Sequence, residues 1–90
     1  MSEQFRHTMS GWAESSEGYA VRLLGRTRLE YRDSFGRLSI SAEAMSKPWN
    51  KIVVYTDSIP DTAERPRNEV LDRLQRAFVA KGWTLVTSPE

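Results

Sequence analysis

The 90-residue chain contains no cysteine and one histidine. The first absence excludes a disulfide framework, a thiolate metal site and a cysteine nucleophile, and it fits a reducing, cytoplasmic setting. The second leaves His7 as the sole imidazole, so we expect no metal site and no cofactor. Gly-x-Ser-x-Gly is missing, and the five glycines at 11, 18, 25, 36 and 82 are too scattered for a phosphate-cradling loop; they read as turns and a helix cap. No stretch approaches the about 18 consecutive apolar residues of a membrane span, and the N-terminus lacks a secretory apolar core. Neither charge sign dominates: 13 Lys+Arg face 12 Asp+Glu, which is not the basic balance of most nucleic-acid binders.

What is present suffices for one small domain. Leu, Ile, Val and Phe make up 19 of 90 residues, just above the level typical of disordered chains, and a net charge of +1 does not resist collapse. A chain of this length buries roughly 60–65% of its unfolded surface, enough for one core of modest stability.

The spacing predicts an α+β fold: an antiparallel meander of four to five strands, one C-terminal helix that covers it, and a short final strand. Residues 1–18 are rich in Ser, Glu and Gln and read as an N-terminal arm, mobile or docked; Phe5, Met9 and Trp12 at i, i+4, i+7 would share a helical face, and docking on the chain's own core is the favoured reading. Residues 19–87 form the domain and 88–90 a frayed tail. Strands are predicted at 19–24, 27–32 and 37–41, with Gly25-Arg26 and Asp33-Ser34-Phe35-Gly36 as reversals. A loop holds 46–50 around Pro48. The run Ile52-Val53-Val54-Tyr55 is read as the middle of the core, 56–65 as a connection, and 66–81 as a helix with Val70, Leu71, Leu74, Ala77 and Phe78 on its apolar stripe. Gly82 supplies the C-cap, Trp83 closes over the last turn, and 83–87 is the last strand.

Chemistry-bearing clusters are few. A carboxylate pair such as Asp57 with Asp61 could do acid–base work, but Asp-rich loops are usually turns, so no catalytic residue is assigned. The main feature is basic: Arg22, Arg26, Arg28, Arg32 and Arg37 fall within one short stretch opposed by Glu30 and Asp33. Arg26, Arg28 and Arg32 should line one strand face, suited to phosphate or carboxylate, although an exposed sheet face must carry polar residues in any case. Arg65 and Arg67, at the helix N-terminus, are further anion candidates. The pairs Glu69–Arg73 and Asp72–Arg76 have favourable i, i+4 orientation. Trp49, in the loop after Pro48, is either an interface anchor or a plug for one end of the sheet.

The stretch from Gly18-Tyr19 through Leu24, then Leu29-Glu30-Tyr31, Ile52-Val53-Val54-Tyr55, Asp57-Ser58-Ile59, the amphipathic helix and Gly82-Trp83 resembles immunity protein family 74 of bacterial polymorphic toxin systems. The resemblance covers roughly residues 18–87. It implies a small cytoplasmic, non-enzymatic domain that binds a cognate toxin in stoichiometric amount, with no catalytic residues to carry over. On that reading the partner-binding residues are Arg28, Arg32, Trp49 and Tyr55. The alternatives are a nucleic-acid-associated domain using Arg22, Arg26, Arg28, Arg32 and Arg37, or an interaction module for another cytoplasmic protein.

Overall fold

A computed structural model describes residues 2–45 and 50–89. Seven strands form one sheet in sequential order: β1 (Phe5–His7), β2 (Ala13–Ser15), β3 (Ala20–Leu24), β4 (Arg28–Asp33), β5 (Gly36–Met45), β6 (Lys51–Tyr55) and β7 (Thr84–Ser88). A 3₁₀ turn, Thr56–Ser58, and one helix, α1 (Arg67–Ala80), stand between β6 and β7. The α+β class is as expected, but the sheet has seven strands rather than four to five, and it is mixed rather than antiparallel. All neighbours pair antiparallel except β6 and β7, which run parallel. The 14-residue helix causes this. It carries the chain back about 21 Å, so the next strand re-enters in the direction of β6.

The two additional strands come from the N-terminal segment, which docks as a hairpin and forms no helix. Phe5 packs on the core side against Tyr19, with ring centroids 6.2 Å apart, whereas Met9 is exposed and Trp12 is buried against the opposite face of the sheet. Three residues that a helix would align are thereby separated: the hairpin puts Phe5 and Trp12 on opposite faces of the sheet, and Met9 lies in the turn between β1 and β2.

β5 is also longer than expected. Its first half pairs with β4 and its second half with β6, and the alternation Ile40, Ala42, Ala44 continues inward throughout. β4 is the central strand of the seven; β6 lies one strand from the edge, although its Ile52 and Val54 are wholly buried.

One face of the sheet carries the core. Val21, Leu29, Tyr31, Ile40, Ile52 and Val54 point toward Val70, Leu74, Ala77 and Phe78 of α1, and Ile59 closes the end after the 3₁₀ turn. Pro66 has extended geometry (ψ 138°) and precedes the first helical residue instead of occupying it. Its side chain cannot cap, and Asp61 reaches in to accept the Arg67 amide at 2.9 Å. This gives Asp61 a helix-capping role.

At the C-terminus Gly82 takes φ +79°, the Trp83 amide donates to the Phe78 carbonyl at 2.9 Å and the Gly82 amide to Val79 at 3.0 Å. With the Phe78 and Trp83 rings 6.2 Å apart, this is the Schellman closure predicted from Gly82-Trp83.

Candidate functional site

The covered and open faces of the sheet carry different chemistry. On the covered side two largely buried carboxylates fasten the helix to the sheet. Asp33 takes the Arg65 guanidinium on both oxygens (2.7 and 3.2 Å), the Tyr31 hydroxyl at 2.8 Å and the Phe35 amide at 2.9 Å, with Arg73 at 3.7 Å. Arg65 also donates to the Gly36 carbonyl and lies over the Phe35 ring. Glu3 accepts from Ser15, from the Tyr19 hydroxyl and from Arg76 (3.0 Å), and Arg76 also holds Glu17 at 2.8 Å. The i, i+4 pairs Glu69–Arg73 and Asp72–Arg76 form as expected, at 2.9 and 3.0 Å. Both arginines reach further than that spacing implied.

Arg65 is therefore engaged within the fold by Asp33, and Arg67 donates its Nε–H to the Ile59 carbonyl at 2.9 Å. The turn chemistry read at Asp33 is present in its bond to the Phe35 amide; its role as an arginine anchor had no local signal.

Burial alone would push both carboxyl groups up, but at Asp33 the Arg65, Tyr31 and Phe35 bonds outweigh it, and at Glu3 the Ser15, Tyr19 and Arg76 bonds do so; both groups titrate below their ordinary range. A depressed folded-state pKa contributes stability that is complete above the unfolded values, about 4, and is lost as pH falls through the folded ones. Thermal melts taken downward in pH should therefore hold level to about pH 5 and then drop, and Glu3→Gln should flatten the drop while lowering the plateau. A wild-type melting temperature independent of pH below 4 would contradict these pairings.

The other face has no helix over it. Alternation places Arg22 of β3, Arg28, Glu30 and Arg32 of β4, and Arg37, Ser39, Ser41 and Glu43 of β5 there. Trp12, 5% exposed, is buried on this face, with the guanidinium carbons of Arg32, Arg22 and Arg37 at 4.4, 4.5 and 5.6 Å from its ring. Like charges crowd there because carboxylates are interleaved: Glu30 holds Arg22 at 2.7 Å, and Glu14 takes both Arg32 and Arg6. The indole face supplies further attraction.

The five-arginine face expected from sequence is thus divided. Arg22 and Arg32 are engaged within the fold, whereas Arg26, at the β3–β4 turn, and Arg28 and Arg37 are exposed and make no ion pair among the described residues. Arg26 is not aligned with the others on β4.

Tyr55 joins this face. Arg28 pairs with Ser41, the residue before Ala42, whose partner on β6 is Val54, so Tyr55 lies one strand beyond. Its hydroxyl donates to Glu43 at 2.9 Å, which raises the phenol pKa. Leu24, Met45 and Val86, each more than one-third exposed, complete the surface. Trp49 and the rest of the loop at 46–49 lie outside the described residues.

Sequence reasoning missed Trp12 as the hub of this face. The only available signal was a tryptophan immediately before Ala13-Glu14-Ser15, too short a run to read as a strand.

Among the described residues no group of three or more His, Asp or Glu side chains could hold a metal ion, and no helix is long and apolar enough to cross a membrane. An open recess of about 280 Å³ is lined by Glu14, Ser15, Gly18, Tyr19, Ala20, Arg32 and Asp33, but both of its carboxylates already hold arginines. What the open face can do chemically is present guanidinium, phenol and aliphatic groups from a rigid sheet. Comparison with family models, with curated proteins and with solved structures finds no match to this chain.

Proposed function

We propose that the chain is a non-enzymatic protein-binding module, an immunity protein that neutralises a cognate bacterial toxin by one-to-one binding through the open face of its sheet. One observation carries this reading: Arg28 and Tyr55 share that face with the exposed aliphatic side chains Leu24, Met45 and Val86. Arginine, tyrosine and methionine are the types enriched at protein interfaces, and unpaired arginines beside them suit an acidic protein surface. Phosphate binding is less favoured, because Glu14, Glu30 and Glu43 are interspersed with the cations and would face a nucleic-acid backbone. The anchors are Arg28 and Tyr55, with Trp49 carried forward from the sequence; Arg32 contributes less, because Glu14 and Trp12 already hold it.

The test begins with the tagged chain recovered from its native cells after nuclease treatment. The captured protein is then purified and titrated calorimetrically. The expected result is saturation at one to one, loss of the partner's toxic activity, and about tenfold or greater weakening by Arg28→Glu and by Tyr55→Ala with unchanged melting temperatures. Equal binding by the variants, or capture that vanishes with nuclease, would overturn the proposal.

A further inference from the structure

The two edges of the sheet are unlike. β1 has three residues, with Arg6 and His7 exposed along it, which is the charged, short edge that discourages pairing. β7 has five residues, Thr84-Leu85-Val86-Thr87-Ser88, with no charge, no proline and no glycine. None of the usual devices that blunt an edge occurs within it.

Its backbone direction is set by one bond: the Thr84 amide donates to the Asn50 carbonyl at 2.9 Å, toward β6. In a parallel ladder successive residues point alternately to the two sides, so Thr84 and Val86 bond inward while the N–H and C=O of Leu85 and Thr87 point out of the sheet. Nothing among the described residues pairs with them.

We infer that β7 is a dimerisation edge, and that its occupant is the β7 strand of a second copy, joined antiparallel about a two-fold axis through Val86. The strand is complementary to itself in that register. Leu85 of one copy stands opposite Thr87 of the other, which places outward donors opposite outward acceptors in two pairs. Val86 meets Val86 at the close, non-hydrogen-bonded position on the axis, where a β-branched pair packs well. No like charges meet within the strand, so an uncharged edge fits a second copy better than it fits an acidic partner surface.

The open faces of the two copies then lie on one side. The groove of about 430 Å³ lined by Met45, Lys51, Thr84 and Val86 meets its symmetry mate across the axis. The inference does not depend on the toxin-binding reading, because it concerns the chain alone. A five-residue edge buries less than a standard interface, so the dimer is a weak one, in the micromolar range.

Sedimentation of the purified full chain tests this. The wild type should shift with concentration from 10.3 kDa toward twice that mass at high micromolar concentration. Val86→Lys places like charges on the axis and should abolish the shift, as should Val86→Glu; circular dichroism checks that each variant folds. Mixing the two variants should restore a dimer, because opposite charges then meet at that point. A wild type that remains monomeric, a Val86→Lys variant that still dimerises, or folded variants whose mixture fails to associate would each overturn the inference. A monomer that gains a strand only from a different protein would do the same.

Discussion

Asp33→Ala should lower stability by about 3 kcal/mol and the melting temperature by roughly 10–20 °C. The carboxylate has only 4% of its side-chain surface exposed, and the Arg65 guanidinium that grips it has 14%. Removing it leaves Arg65 without its anion and takes one carboxylate from Arg73, while the Tyr31 hydroxyl loses its acceptor and the β4–β5 turn loses the bond to the Phe35 amide. Breaking one side of such a pair is much more costly than the net worth of the pair, because a buried charge is left uncompensated.

A domain of this size has about 5–13 kcal/mol in total, so the loss is a substantial fraction of it. Denaturant unfolding followed by far-UV circular dichroism measures it. The double variant Asp33→Ala, Arg65→Met should recover part of the loss, since it removes the stranded cation together with its partner. If Asp33→Ala unfolds within about 0.5 kcal/mol of the wild type, the fastening between sheet and helix described above is not what holds the helix in place.

Trp12→Ala should cost a similar amount, about 3 kcal/mol, by a different route. The indole is buried on a face that has no helix, and three guanidinium groups form its cover. Truncation removes its packing, normally about 3–5 kcal/mol for a buried tryptophan, at a site whose arginine lid can partly collapse into the gap. It also leaves Arg22, Arg32 and Arg37 adjacent without the ring that attracts them. Trp12→Phe keeps a π face and should recover more than half.

The effect should also be local before it is global. Residues 5–7 and 13–15 are joined to the body of the sheet by the short β2–β3 pairing, the bonds of Glu3, the Glu14–Arg32 pair, the Phe5–Tyr19 ring contact and the contacts of Trp12. Amide exchange in Trp12→Ala should therefore rise in β1 and β2 under conditions where β4 remains protected. Unchanged protection in β1 and β2 would show that the hairpin is held by its other contacts alone.

Much of the fold was legible because the elements concerned announce themselves locally. The helix stripe Val70, Leu74, Ala77, Phe78 and the Gly82-Trp83 closure depend on spacing and on one residue able to adopt positive φ. The β3–β4–β5 meander follows from alternation at Leu29 and Tyr31 and from the turn at Asp33-Ser34-Phe35-Gly36. β1 and β2 were not legible, since three residues with polar neighbours are shorter than any period can establish, and only pairing with β3 makes them strands. The full length of β5 could have been read from Ile40, Ala42 and Ala44, whose alternation is unbroken.

The sequence by itself determined the α+β class, the C-terminal helix with its stop at Gly82-Trp83, and the absence of cysteine chemistry, because composition, periodicity and capping act within a few residues. Only the tertiary structure decided which charges are spent and which are free. Arg22 and Arg28 lie six positions apart in similar contexts, yet one is held by Glu30 and Trp12 and the other is exposed with no ion pair among the described residues. Tertiary structure likewise decided that Trp12 belongs beneath three arginines and that β7 runs parallel to β6 as an edge. Each of these depends on strands brought together across long separations, and chain connectivity within one strand carries no information about its neighbours.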